Sequence, residues 1–319
     1  MSAGGEFDFI RRYLAPLAGE GAFQLSDDGA LTGAGPYCIA SDMLIAGRHF
    51  RAEDPLKDAA RKALRANLSD MAAMGAKPHA YLLSLALPHD LDETGLKMIA
   101  EGLKADQTRY GLGLLGGDTT RHDGALIFSV TMLGVPPESG LLRRNAAMTG
   151  QDVYVTGTIG DAGLGLKALT EGGLANAEPL IEAYRRPEPP VDFALRAAPL
   201  IAAAIDVSDG LLADLGHIAK TSGVKIDLDI ADMPLSEAAA GWAASHADEA
   251  EARLSLAAMG DDYQLAFTAA PEMRELLLSA ADQLDVRLTG IGRVETGEGL
   301  SVRHGGQTLS PKQFGFTHF

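Results

Sequence analysis

The sequence predicts an α/β (α+β) protein of two domains on three observations. At 319 residues the chain exceeds the size at which one hydrophobic core stops growing, so two domains of roughly 150 residues are expected. Apolar runs of strand length alternate with Ala/Leu-rich stretches of helical spacing through both halves, which excludes separate all-α and all-β domains. The polar, Pro-rich stretch from Pro136-Pro137-Glu138-Ser139-Gly140 to Gly150 lies between two strand-like runs. A boundary near 148 follows, giving domains 1–148 and 149–319.

In chain order, strands are expected at about 37–42, 80–87, 125–134, 152–156, 224–230, 263–269 and 286–292. Val224, Ile226, Leu228 and Ile230 supply the cleanest alternation of period two. Helices are expected near 55–74, 92–109, 161–171, 190–203, 209–221, 234–247 and 271–284. In the first of these, Leu56, Ala60, Ala63, Asn67, Asp70 or Met71, and Met74 recur on one face. The segment Arg185-Arg186-Pro187-Glu188-Pro189-Pro190 reads as a loop inside the second domain. No repeat of solenoid period is present.

With 46% apolar and 22% charged residues the composition is that of an ordinary globular protein. A formal net charge of −16 argues against nucleic acid and anionic membranes as partners, since either needs a basic stripe. The opening Met1-Ser2-Ala3-Gly4-Gly5-Glu6-Phe7-Asp8 lacks a basic and then apolar leader, and no run approaches a membrane span, so a cytoplasmic location is expected. Cys38 is the only cysteine, which excludes an intrachain disulfide. Its apolar neighbours make it a core thiol.

Six aspartate clusters stand where apolar runs give way to Gly, Ser or Thr: Asp27-Asp28, Ser41-Asp42, Asn67-Leu68-Ser69-Asp70, Gly116-Gly117-Asp118-Thr119-Thr120, Asp206-Val207-Ser208-Asp209-Gly210 and Gly260-Asp261-Asp262. Gathered carboxylates repel one another and are costly to desolvate, and hard divalent cations neutralise them. The pattern points to magnesium, and magnesium to phosphate. Each cluster also has a plainer reading. Asn67 to Asp70 could cap a broken helix, Gly116 to Thr120 could be a tight turn, and Ser208 and Asp209 could be an N-cap region. Asp206 is not explained by capping.

Two familiar nucleotide signatures fail on context. Gly111-Leu112-Gly113-Leu114-Leu115-Gly116 follows a helical pattern, whereas the dinucleotide fingerprint needs a strand before it and a helix after. In Gly160-Asp161-Ala162-Gly163-Leu164-Gly165-Leu166-Lys167 a leucine separates glycine from lysine, which breaks the P-loop; its backbone could still bind phosphate or form a plain turn. The eight histidines show no zinc spacing. His49 stands out because Gly47-Arg48-His49-Phe50 follows Ser41-Asp42 closely, although a core or surface role fits it too.

Together with Gly5-Glu6-Phe7, Ser41-Asp42-Met43-Leu44, Asn67 through Ala76, Val155-Thr156-Gly157, Asp261-Asp262-Tyr263 and Gly315-Phe316-Thr317-His318-Phe319, these strings resemble the thiamine-monophosphate kinase family, in that family's order over nearly the whole chain. The resemblance implies the two-domain aminoimidazole-ribonucleotide-synthetase-like fold, with an N-terminal domain that pairs with its twin in a homodimer. It implies ATP-dependent phosphorylation of thiamine monophosphate to thiamine diphosphate with several magnesium ions. By the same resemblance Asp28, Ser41, Asp42, Asp70, Asp118, Asp206 and Asp209 are metal ligands, with Asp42, Asp118 and Asp209 catalytic. ATP is contacted by Gly117, Asp118, Arg144, Ser208 and Tyr110, and the substrate by His49, Asp261 and Phe316. This chain departs from the family where Leu25-Ser26 precedes Asp27-Asp28, where Asp261 stands for a usual Glu, and where Phe316 stands for Trp or Tyr.

An acceptor phosphate monoester has a second pKa of about 6 and is largely a dianion at neutral pH, so no general base is required. Two anions must be brought together on an acidic protein, a task of positioning and charge neutralisation. The rivals are an ATP-dependent synthetase of the same superfamily and a non-catalytic nucleotide sensor.

Overall fold

The computed structural model describes residues 10–19, 35–174 and 176–315. The chain divides into two compact units, one of Met1–Met71 with Ala76–Pro136, the other of Ala72–Gly75 with Pro137–Phe319. The division falls at Pro136/Pro137, and the polar segment up to Gly150 groups with the second unit.

The first unit is built on a four-stranded sheet in the order β1-β4-β2-β3, with β1 Cys38–Ile45, β2 Lys77–Pro88, β3 Gly113–His122 and β4 Ile127–Val135. β4 runs antiparallel to both β1 and β2, and β2 runs parallel to β3. Helix α1 (Leu56–Ala73) lies between β1 and β2, and α2 (Glu93–Tyr110) between β2 and β3. α2 starts on Asp92, whose carboxylate accepts the Gly95 N–H at 2.8 Å, and stops at left-handed Gly111.

Along β4 the even positions Phe128, Val130, Met132 and Gly134 are buried while the odd ones are half-buried, or exposed at Val135. A side chain at Gly134 would meet Met71 Sδ at 2.5 Å, which places α1 on the even face. α1 and α2 are locked by Arg65, whose Nε and Nη2 donate to Asp106 at 2.7 and 2.9 Å with both side chains fully buried.

The second unit carries a seven-stranded sheet in the order β11-β10-β7-β9-β5-β8-β6. Its strands are β5 Asp152–Thr156, β6 Ala203–Val207, β7 Lys225–Asp229, β8 Gln264–Ala269, β9 Leu288–Glu295, β10 Gly299–His304 and β11 Gln307–Leu309. Only the β7/β10 pair is parallel. The helices are α3 Asp161–Glu171, α4 Glu178–Arg185, α5 Val191–Ala197, α6 Leu211–Ser222, α7 Glu237–Ala244, α8 Glu249–Ala257 and α9 Arg274–Gln283. Val153, Val155, Ile205, Val207, Leu212, Leu215, Ile226 and Leu228 are among the residues of one core.

Several elements depart from the sequence expectation. The helix expected through 203 ends at Ala197, and Ala203–Val207 is strand. The helix expected over 234–247 is two, because Asp248 caps a second start by accepting the Glu251 N–H. Gly116 to Thr120 is no turn: it lies inside β3, paired with Leu82 to Ala86 of β2.

Candidate active site

Side chains of residues paired across a sheet share a face, so the register decides what each acidic residue meets. Asp42 pairs with Val130, and Val130 with Leu83. Asp42 therefore lies on the buried face beneath α1, where it meets Asp70. The two carboxyl groups share a hydrogen bond. Burial holds Asp42 above the usual carboxylate range, against the lowering effects of that bond and of nearby His49.

The helix stripe expected of Asn67 and Asp70 is present and unbroken, which removes the reading as a cap. Asn67 is fully buried; its Nδ2 donates to Ala63 O at 3.1 Å, while its Oδ1 has no hydrogen-bond partner. Ser69 Oγ is likewise buried without one. His49 is tied on three sides: its N–H donates to Ile45 O, its Nδ1 accepts from Ile45 N at 3.0 Å, and its O accepts from buried Lys62 Nζ at 3.0 Å. A neutral ring that accepts at Nδ1 carries its hydrogen on Nε2.

Ser41 and Asp118 occupy the other face. Ser41 pairs with Thr131, and their hydroxyls lie 2.9 Å apart. Asp118 is exposed and pairs with Ser84, which pairs with Ser129 and so with Met43. Gly117 has φ +153°, and a side chain there would put a Cβ 1.7 Å from Leu83 O. Only glycine allows this approach. Tyr110 closes α2, its ring 5.1 Å from the Arg109 guanidinium and 6.0 Å from that of Arg65.

In the second unit three segments abut. The end of β6 carries Asp206, and the turn that follows it carries Ser208 and Asp209. The turn Gly260 to Tyr263 packs against it: Asp261 N donates to Ser208 O at 2.8 Å and Tyr263 N to Val207 O at 2.7 Å. A Cβ at Gly260 would lie 2.4 Å from Ser208 O, and one at Gly315 would lie 2.6 Å from Asp209 O. Asp261 and Tyr263 hold positive φ of 70° and 49°, an uncommon conformation that the surrounding hydrogen bonds enforce.

Two acidic residues to which the sequence reading gave no role organise this region. Asp214 is buried and accepts the N–H groups of Ser208, Asp209 and Gly210. Burial, and then the charges of Asp206 and Asp209, push its pKa up to about 8. The cap position belongs to Gly210, without a side-chain cap, so Ser208 and Asp209 are not the N-cap. The signal for Asp214 was an acid in the first turn of a helix that begins without a capping side chain.

Asp262 is the second. It accepts from Gly160 N at 2.7 Å and Ala162 N at 3.3 Å, and its burial drives its pKa well upward. The helix start at Gly160 is thus filled by the protein's own carboxylate, which removes the phosphate-cradle reading of that segment. The other dismissed signature runs helix, left-handed Gly111, strand, the reverse of a dinucleotide site.

Among the site expectations, Asp42 with Asp70 and His49 come together in the first unit, and Asp206, Ser208, Asp209 and Asp261 in the second. Arg144 is not beside Ser208. Its carbonyl accepts from Ser222 Oγ at 3.0 Å and Thr221 Oγ1 at 3.2 Å, at the far end of α6, and a helix of that length spans roughly 18 Å. Asp28 and Phe316 lie outside the described residues. Among the described residues no group of three or more acidic, histidine or cysteine side chains is arranged around a metal position, and no helix is long and apolar enough to cross a membrane.

Residues 26–136 match the family of AIR synthase related protein, N-terminal domain, and residues 149–305 its C-terminal domain. The thiamine-monophosphate kinase of Caulobacter vibrioides is 39% identical over 98% of this chain and 90% of its own length. The crystal structure of thiamine-monophosphate kinase from Stenotrophomonas maltophilia K279a superposes with a TM-score of 0.81 at 38% identity, covering 89% of this chain and 91% of that one. The structure of AaThiL complexed with AMPPCP and TMP gives a TM-score of 0.76 at 31% identity over 92% and 91%. The chain belongs to the thiamine-monophosphate kinase family, assembled from the N- and C-terminal domains of AIR synthase related proteins.

Proposed function

We propose that this protein transfers the γ-phosphoryl group of ATP to the phosphate of thiamine monophosphate, yielding thiamine diphosphate and ADP, in the cytoplasm. The observation that carries the reading is the contact of the Ser208 backbone with the Asp261 turn. Side chains assigned to nucleotide and to thiamine phosphate stand on abutting segments.

The acceptor is a dianion at neutral pH, its second pKa being about 6, so one of its oxygens attacks the γ-phosphorus without a base. A new P–O–P bridge forms as the bond to the β-phosphate oxygen breaks and ADP leaves. No nucleophile of the chain is used, so transfer is direct. His49, held by Ile45 and Lys62, offers its Nε2–H to the acceptor phosphate. Gly117 lets the nucleotide approach bare backbone, and by the family resemblance Tyr110 and Arg144 are further nucleotide contacts.

Magnesium fits the oxygen-only donor set of Asp28, Ser41, Asp42, Asp70, Asp118, Asp206 and Asp209. Two features of the first unit support the fit. The Asp42 and Asp70 carboxyl groups lie within hydrogen-bonding reach of each other, a pair of hard oxygen ligands that a cation would neutralise. One turn before Asp70, Asn67 Oδ1 is a buried acceptor with no donor. When bound, magnesium offsets the repulsion between the two phosphates.

The reading includes a homodimer. Ile39, Met43 and Leu82 are 65%, 54% and 40% exposed on the face of the four-stranded sheet that α1 does not cover. A second copy seated on that face would bury them.

Mass spectrometry of thiamine monophosphate incubated with ATP, with and without magnesium, tests the activity. Thiamine diphosphate in step with ADP is expected only with the metal. ATP bound without turnover identifies a sensor instead. Asp42→Asn and Asp209→Asn should each cut turnover by about 100-fold or more and leave the melting temperature nearly unchanged. A phosphorylated chain trapped after ATP alone would overturn direct transfer.

A further inference from the structure

A single carboxylate oxygen holds the turn that displays Ser208 and Asp209. Asp214 Oδ2 accepts the N–H of Ser208 at 3.1 Å, of Asp209 at 3.2 Å and of Gly210 at 3.1 Å. Asp214 is 3% exposed and sits inside α6, one turn past its start. Where a Ser or Asp side chain caps a helix, as Asp92, Ser236 and Asp248 do elsewhere in this chain, its oxygen is consumed by the N–H two or three residues on. Here Gly210, at φ 128°, has no side chain to give, and the donors ahead of the helix are satisfied from within it.

The same turn is held from outside. Ser208 O accepts from Asp261 N at 2.8 Å, and a side chain at Gly210 would press within 2.9 Å of Ala258 O. With its N–H bound to Asp214 and its C=O to Asp261, Ser208 has no backbone freedom left. The directions of the Ser208 and Asp209 side chains are decided by the backbone that Asp214 grips.

We propose that Asp214 is a positioning residue, an internal substitute for the helix cap that fixes the 208–210 backbone and releases the Ser208 hydroxyl and Asp209 carboxylate for the nucleotide side of the site. The proposal rests on the reading of Ser208 and Asp209 given under Proposed function. Acceptor geometry carries the effect, so an amide oxygen at 214 keeps part of it, a longer acid displaces it, and an apolar side chain abolishes it.

The test measures ATP binding to the full chain by calorimetry, amide hydrogen exchange at 208–210, and steady-state kinetics for both substrates. Asp214→Leu should raise the KM for ATP about tenfold or more, within the roughly 100-fold that a 1 Å misplacement can cost. It should also speed exchange at 208–210 and leave the KM for thiamine monophosphate within about threefold. Asp214→Asn should fall between Asp214→Leu and the native chain. Asp214→Glu should show the ATP-selective loss while keeping the charge, and it carries the test should the leucine variant not fold.

Ser208→Ala and Asp209→Asn serve as references. ATP affinity unchanged in both overturns the assignment of this turn to the nucleotide. Affinity lost in those two but native in Asp214→Leu or Asp214→Glu, with native exchange rates, overturns the role of Asp214 alone. A fall in melting temperature with equal loss for both substrates assigns Asp214 to stability only.

Discussion

Asp42 and Asp118 stand on the two outer strands of one four-stranded sheet, β1 and β3, on opposite faces. Three strand spacings separate them, about 14 Å. One cation cannot touch both within a chain, whereas a second copy bringing its β3 beside β1 would supply the missing carboxylate. Mixing Asp42→Asn with Asp118→Asn chains under exchange should therefore restore activity to about one quarter of native, since half the dimers are mixed and each has one intact site. No recovery, with mixed dimers demonstrated, would place both residues in separate sites.

Gly117→Ala should be as damaging as loss of a ligand. Its Cβ would sit 1.7 Å from Leu83 O, so β2 and β3 must part where Asp118 is presented. A stability loss of about 1–3 kcal/mol is expected, together with a rise in the KM for ATP. Urea unfolding and kinetics check both, and a native-like KM would show that the strand approach is not used for the nucleotide.

Asp106 and Arg65 are fully buried partners between α1 and α2. Asp106→Ala leaves a buried guanidinium without its main counter-charge, at a cost of about 3–5 kcal/mol. Chemical denaturation should show the midpoint moving with little change in slope.

Asp262 makes stability depend on pH. Burial raises its folded-state pKa well above the ordinary value of 3.8, opposed by the N–H groups of Gly160 and Ala162. The folded state thus favours the protonated acid: this contribution is complete below pH about 4 and is lost as pH rises through the folded-state value. Between pH 5 and 8 the native chain should lose melting temperature relative to Asp262→Asn, which keeps an acceptor and cannot ionise. Parallel curves would show that Asp262 is already charged at pH 5.

Much of the scaffold was legible because it is local. The helix bearing Asn67 and Asp70 follows from apolar spacing, and β7 from the alternation of Val224 to Ile230. β3 was not legible: two glycines and polar residues give it no strand pattern, and its pairing with β2 makes it a strand. β6 was masked by an Ala/Ile run that suits either state. Arg144 joined the nucleotide contacts through a motif match, yet its backbone is bound at the opposite end of α6 from Ser208.

By itself the sequence determined the interleaved strand and helix order, the family, and which residue types are available to bind phosphate and cations, because periodicity and motif composition are properties of neighbouring residues. Only the tertiary structure decided that Asp42 meets Asp70 and not Asp118, and that Asp214 rather than Ser208 or Asp209 satisfies the start of α6. Strand register and burial bring together residues far apart in the chain, and no local pattern encodes which of several similar acids will be buried, which will be turned outward, and which will hold the backbone in place.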